Sequence, residues 1–381
     1  MTVGVGVIGT GMIGQDHIRR ITQVLTGGAV VAVNDVDAAR AAQVAAGLPG
    51  VGLPGVGLPG ATVHASAQDL IEDARVDAVL VASWGAAHEE QVLAAIAAGK
   101  PVFCEKPLAP SRDACLRIID AEVARGRRCV QVGFMRRYDA GYRAMKAVLV
   151  DGIIGVPLLM HCAHRNPLPP PYGFTTEMLV TDSAVHEFDQ VRWLFGEEIV
   201  AASILTPRRT SKAAEGVQDP LIILLELASG VLVDDEVFVN AGYGYDIRGE
   251  VVGESGTVAL ADAGGITLST GGRRVTVPAG RTQNPPGPSQ APQHRDRVPA
   301  DWRERFLRAY DAELQDWLTA VAAGTVTGPS SWDGYVAAVV ADSAVRALHT
   351  GQRIAVPLPE RPGLYQERAC EPPIADAGVI R

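Results

Sequence analysis

Residues 9–14 read GTGMIG, and their surroundings restrict the fold more than any other stretch of the chain. VGVIGT, ending in the turn, is an apolar run of strand length, and MIGQDHIRRITQVL after it has helical spacing. Alone, G-x-G-x-x-G is a weak signal. Between a strand and a helix it marks a place where a phosphate-bearing ligand can approach the backbone. Gly9 permits the tight turn, Gly11 lets the backbone approach a pyrophosphate, and Gly14 lets helix and strand pack closely. The N–H groups that open the helix, at Met12 and Ile13, face the phosphates. Asp35 closes the next strand, roughly 20 residues on, where a carboxylate can bond the ribose hydroxyls. No arginine follows Asp35 directly, and an acid there repels a 2′-phosphate. The expected cofactor is NAD rather than NADP.

The rhythm continues. Strands at 29–35, 77–83, 101–105 and 129–134 alternate with helices at 37–46, 88–99 and 111–125, with Gly99 as a plausible helix stop. That alternation predicts a parallel sheet covered on both faces. After residue 134 it changes. Helices are expected at 139–150, 183–195, 302–323 and 332–350. Strands are expected at 157–165 and within PLIILLELA, GVLVDDEVFVN and IRGEVVGESGTVAL, whose tight turns favour antiparallel pairing. The predicted class is α/β: a doubly wound Rossmann domain over 1–133, then an α+β domain with a mostly antiparallel open sheet over 134–381. Residues 46–60 read AGLPGVGLPGVGLPG, with GLPG three times at a five-residue spacing, and 278–300 are Pro-rich; both read as loops.

Composition excludes several classes. The 381 residues are 47% hydrophobic and 20% charged, with net charge −9. An acidic chain disfavours nucleic acid as a partner. No apolar run approaches the roughly 18 residues of a membrane span. The N-terminus lacks the basic region of a secretory signal. Five cysteines form no C-x-x-C pair, which suggests reduced thiols in a cytoplasm. No spacing resembles a zinc site.

In an open α/β sheet, ligands sit beyond the carboxyl ends of the strands. Ser83–Trp84 and Glu105–Lys106 occupy such ends. Lys106 should therefore point toward the nicotinamide, where desolvation lowers a lysine's pKa and suits it to proton transfer. The bland alternative is a solvated lysine before a turn. Asp182 and His186 are four apart, so on a helix they share one face, and an aspartate can orient a histidine and stabilise its imidazolium. Asp189 lies on nearly the same face. Equally, Asp182 could be only an N-cap beside a buried histidine. His164 and Asn166 end a predicted strand and could bind hydroxyls; Arg136 and Arg137 open the second domain, where arginines more often make surface pairs.

Taken together, GVIGTGMIG, SWGAAH, FCEKPL, QVGFMRRYD, HCAHRN, DSAVHEFD and YGYDI resemble the Gfo/Idh/MocA oxidoreductases, and within them the inositol-oxidising branch. The resemblance runs through PSSWDGYVAAVVADSAVRA at 329–347. It implies NAD-dependent oxidation of a small polyol, myo-inositol, at C2 to scyllo-inosose. Lys106, Asp182 and His186 fall on the catalytic positions. Arg136, His164, Asn166, Ser183 and Tyr245 fall on substrate contacts. The glycine loop, Asp35, Ser83, Trp84, His88 and Glu105 fall on the cofactor side. It also implies a homotetramer packed through the open sheet. Three features depart from the family: the GLPGV repeat, Ser183 where threonine is expected, and the length of the 278–300 loop and the tail. Another inositol isomer or derivative, a pyranose, or a non-catalytic NAD-binding regulator are the competing expectations.

Overall fold

The structure, a computed structural model, describes residues 2–48, 60–169, 173–261, 264–278 and 298–366. Most of the GLPGV repeat, the 278–300 loop and the tail after 366 lie outside the described residues. By contact the chain divides into two compact units.

The first unit holds Met1–Phe134, Tyr310–Ala338 and Pro359–Gln366. Its six strands are β1 (Val3–Ile8), β2 (Gly28–Asn34), β3 (Thr62–Val63), β4 (Ala78–Val81), β5 (Val102–Glu105) and β6 (Val130–Gly133). All pairs are parallel, in the order β3-β2-β1-β4-β5-β6. This is the doubly wound order, with its switch point between β1 and β4. The strands are apolar on both faces because helices cover both: every residue of β1, β4, β5 and β6 is buried.

Five helices follow the strands: α1 (Met12–Gln23), α2 (Ala38–Ala46), α3 (Ala67–Glu72), α4 (His88–Ala97) and α5 (Arg112–Arg125). Their ends are locally encoded. The Asp37 carboxylate caps α2 by accepting from the Arg40 N–H, and the Ser111 hydroxyl caps α5 by accepting from the Ala114 N–H. Gly126 ends α5 at φ 73°. The core unites Val5, Val7, Ile18, Leu80 and Phe103 with Leu314, Trp317 and Leu318 of α10 (Leu307–Ala322). Residues from the far end of the chain thus complete the first unit's core.

The second unit takes in Met135–Ala309 and Val339–Leu358. Its sheet is built from β7 (Pro157–Arg165), β8 (Ile199–Leu205), β9 (Leu221–Leu227), β10 (Leu232–Phe238), β11 (Asp246–Gly253), β12 (Gly256–Leu260), β13 (Ile266–Thr270), β14 (Arg273–Val277) and β15 (Ile354–Ala355). The order is β14-β13-β12-β11-β7-β10-β9-β8-β15, antiparallel except for the β7–β10 pair. Along β10, Val233, Asp235 and Val237 are buried and their neighbours are not. One face is therefore packed and the other open. Helices α6 (Ala140–Val150) and α8 (Val185–Phe195) pack together, and α6 packs on β12.

Two helices differ from their sequence expectation. The run at 302–323 is split into α9 (Trp302–Arg305) and α10 by Phe306, whose φ of −110° and ψ of 19° leave the helix so that its ring is buried. The helix expected at 183–195 begins at Val185. Before it, Leu179–Ser183 form a wide π turn, closed by the Ala184 N–H donating to the Leu179 carbonyl at 3.0 Å. Asp182 lies in that turn, and the cap position of α8 is Ala184. Asp182 is therefore not the N-cap, and the four-residue spacing to His186 does not lie within one regular helix. Wide turns of this kind are frequent at functional sites.

Candidate active site

At the glycine loop each glycine has a separate physical reason. Gly9 sits at φ 96°, and a Cβ there would lie 2.5 Å from the Ala82 carbonyl. A Cβ on Gly14 would lie 2.0 Å from the Gly9 carbonyl oxygen, so only glycine lets α1 start this close to the loop. A Cβ on Gly11 would meet nothing within 4 Å. The N-terminus of α1 is thus open where a pyrophosphate must approach, with Met12 exposed and Ile13 packed on the core. These residues fit a dinucleotide.

Asp35 follows β2. It accepts from the Thr10 N–H at 2.6 Å, the Thr10 hydroxyl at 2.9 Å and the Asp37 N–H at 2.9 Å. The Arg40 guanidinium donates to both of its oxygens, at 2.6 and 3.3 Å. Burial alone would raise this carboxyl, but the Arg40 bonds and the N–H donors outweigh it and hold Asp35 at about 2. No arginine follows Asp35 directly in sequence, but Arg40, five residues on, reaches its carboxylate. Arg40 lies in the first turn of α2, and the turn after β2 folds it back onto the carboxylate.

Beyond β4 and β5, His88 ties two turns together. One ring nitrogen lies 2.7 Å from the Pro107 carbonyl and the other 3.0 Å from that of Ser83. His88 is 1% exposed, so its contacts are with the backbone that carries Ser83 and Lys106. Burial pushes the imidazole down, toward its neutral form. The Ser83 hydroxyl donates to Gln91 at 2.7 Å, and Trp84 is exposed. Glu105 faces His17 of α1 at 2.7 Å and accepts from the Lys106 N–H at 3.2 Å. His17 is fully buried between Phe103 and Tyr310. The sequence reading did not single it out, although its place with Gly14, Ile18 and Ile21 on the buried face of α1 was a signal. Lys106 is half-buried, and its bond to Pro107 is cis.

The second unit assembles a buried polar cluster. Arg136, 1% exposed, donates to Glu187, and to the side-chain amide oxygen Oε1 of Gln190 at 3.2 Å. Its other terminal nitrogen is 3.2 Å from His164 Nδ1, which lies 3.1 Å from Glu187 Oε2. The pair is ionised: burial opposes the charge, but Arg136 holds the Glu187 carboxyl below its usual range. The expectation of a surface pair for Arg136 is corrected, because α8 carries Glu187 and Gln190 beneath it. The His164 ring meets Tyr245 edge-on at 5.9 Å and lies 6.3 Å from the His186 ring. Tyr245 in turn packs on Phe306, over which Arg136 stands at 5.5 Å.

The structure therefore brings Arg136, His164, His186 and Tyr245 together. Ser183 is buried in the π turn, and Asn166 follows β7, its backbone bonded to Phe238 and Ala241. Asp189, expected beside His186, is held by Arg137 at 2.8 and 2.5 Å. Glu187 and Gln190 were missed. Their signal was the density of polar residues in HEFDQ opposite two adjacent arginines, but pairing them needed the fold. Among the described residues no group of three or more His, Cys, Asp or Glu is placed to hold a metal. Burial raises the thiols of Cys104 and Cys162, and that of Cys115 to about 12, so these are not nucleophiles at neutral pH.

A family model described as an oxidoreductase family with an NAD-binding Rossmann fold matches residues 3–134, and that family's C-terminal alpha/beta domain matches 146–357. The chain is 54% identical to inositol 2-dehydrogenase 3 of Saccharopolyspora erythraea, over 96% of this chain and 98% of that protein. It is 49% identical to an inositol 2-dehydrogenase of Pseudomonas fluorescens, over 96% and 100%. Among solved structures it is similar to myo-inositol dehydrogenase from Lactobacillus casei in complex with NAD(H) and myo-inositol. That likeness has a TM-score of 0.83 and 37% identity, covering 96% of this chain and 100% of that one. From the glycine loop to the last helix, the chain belongs to the Gfo/Idh/MocA oxidoreductase family.

Proposed function

We propose that the protein oxidises myo-inositol at its C2 hydroxyl with NAD, giving scyllo-inosose, NADH and a proton. The observation that carries this reading is the near full-length identity, 54%, to a relative named for that activity. The buried cluster of the second unit supports it, because a polyol needs a partner for each hydroxyl it buries.

His186 is the general base that takes the hydroxyl proton. Asp182 orients its imidazole and offsets the charge it gains. Lys106 donates to the substrate oxygen as negative charge develops there. NAD, held by the glycine loop and Asp35, would supply the hydride acceptor. His164, Asn166, Ser183 and Tyr245 bind ring hydroxyls, and Arg136 with Glu187 sets the orientation of His164 from behind. On the cofactor side, Gly9, Gly11, Gly14 and the first N–H groups of α1 bind the pyrophosphate, and Asp35 bonds the ribose. Glu105 and His88 hold the backbone on either side of Lys106, while Ser83 and Trp84 face the dinucleotide.

The protein acts as a homotetramer that packs through the open face of the second sheet. In support, that face carries an ordered charge network: Arg165 donates to Glu236 at 2.6 Å and to Asp246 at 3.0 Å. It works in the cytoplasm, a reading supported by four buried free cysteines. No helix among the described residues is long and apolar enough to cross a membrane.

The test is NADH formation on a panel of myo-, scyllo- and chiro-inositol and glucose. Turnover of myo-inositol above the others is expected. Turnover of glucose with none of any inositol would overturn the reading.

A further inference from the structure

The proposed reaction gives His17 no part. It is fully buried on α1, the helix whose N-terminus Gly11 leaves open. Its ring lies 5.7 Å from those of Phe103 and Tyr310. Nε2 stands 2.7 Å from Glu105 Oε1, while Nδ1 has no hydrogen-bond partner among the described residues. An apolar ring would fill this gap without burying an unpaired nitrogen, which costs free energy. What a histidine adds here is its bond to Glu105.

Glu105 is where two tethers meet. Alternation along β5 sends Phe103 and Glu105 toward α1, and Cys104 to the other face, where its Sγ meets His88 at 3.5 Å. Glu105 is 6% exposed. One carboxyl oxygen meets His17, and the other accepts from the Lys106 N–H at 3.2 Å. Across the ladder stands Gly133, where a Cβ would lie 3.2 Å from Glu105 Oε2. The carboxyl therefore has little room on that side. Two hydrogen bonds thus join the phosphate-facing helix to the main chain of Lys106.

We propose that His17 is a positioning residue, which acts through Glu105 to hold the main chain of Lys106 in register with the helix that binds the pyrophosphate. Without the His17 bond, the Glu105 carboxyl is free to turn away, and the Lys106 N–H loses its fixed acceptor. The inference rests on the role given to Lys106 in the proposed function and not on which polyol is oxidised.

The test pairs a readout that needs no turnover with one that does. His17→Phe keeps a ring between Phe103 and Tyr310 and removes the bond. His17→Gln keeps a donor near the position of Nε2. Deuterium uptake by full-length protein without substrate, read by mass spectrometry, should quicken in segment 103–111 of His17→Phe and stay unchanged in 78–82. His17→Gln should return it toward wild type. NAD affinity by calorimetry and polyol KM should stay within about threefold, while kcat of His17→Phe falls about 10–100-fold, the cost of a misplaced catalytic group. In a Glu105→Gln background, His17→Phe should cost little more, because the two residues act as one unit. Should phenylalanine not be accommodated, His17→Leu makes the same comparison in a smaller side chain. Unchanged uptake in 103–111 overturns the proposal, and so does quickened uptake spread evenly over residues 1–134, which would mark a packing residue. Additive losses in the double variant also overturn it. A silent substrate panel would sink the polyol reading alone, since the uptake comparison stands without it.

Discussion

Two residues separate binding from chemistry. His186→Ala should cut NADH formation at saturating polyol by about 10²–10⁴, the usual range for a lost general base, while NADH binding by fluorescence stays near wild type. A loss of cofactor binding in that variant would point to a structural role instead. Glu187→Gln addresses the support behind His164. It leaves the Arg136 guanidinium buried without its carboxylate, and breaking a buried pair costs about 3–5 kcal/mol. A fall in unfolding free energy of that order, read from denaturant titrations, with a raised polyol KM, is expected. Asp35 makes the pH prediction. Its folded carboxyl is depressed to about 2 from its ordinary value of 3.8. Such a group contributes stability that is fully present above the unfolded value and lost as pH falls through the folded one. Melting curves collected from pH 3.8 down to about 2 should show wild type losing more stability over that window than Asp35→Asn.

The glycine loop is the element where conformation and ligand access can be told apart. Gly9→Ala forces a left-handed φ on alanine and puts its methyl 2.5 Å from the Ala82 carbonyl, so the loop must move and both melting temperature and NAD affinity should fall. Gly11→Ala meets nothing within 4 Å. Its melting temperature should stay close to wild type while NAD affinity, read by calorimetry, drops at least about tenfold. Equal melting losses in the two variants would mean that Gly11 is also a packing glycine. The π turn at Leu179–Ser183 is the corresponding element of the second unit, since it sets where Asp182 and Ser183 stand relative to the start of α8.

At the scale of the whole molecule, the chain returns to the unit where it began. Trp317 is fully buried in the core that holds Val5, Val7 and Phe103, and its ring meets Phe103 at 5.7 Å. A fragment of residues 1–134 lacks Leu314, Trp317 and Leu318. Expressed alone it should be unfolded by circular dichroism or aggregated, and should bind no NAD. In the full chain, Trp317→Ala should cost about 3–5 kcal/mol, a large aromatic truncation in a closed core. A well-folded, NAD-binding 1–134 fragment would show that the C-terminal return is dispensable.

What the amino-acid sequence determined by itself is whatever rests on local chemistry. The alternation of apolar runs and helical spacing specified the parallel sheet. GTGMIG, with Asp35 roughly 20 residues on, specified the dinucleotide crossing, and the motifs from SWGAAH to YGYDI specified the family, because each is a short run legible in chain order without a tertiary contact. Tertiary structure decided the rest. The ion pair of Arg136 with Glu187 joins positions 51 residues apart, and the core contact of Phe103 with Trp317 joins opposite ends of the chain. The fold of Arg40 back onto Asp35 spans only five residues, but it depends on a turn geometry that spacing does not reveal. A side chain's identity states what it can bond; only the folded backbone brings it a partner and removes the water that would otherwise take that place.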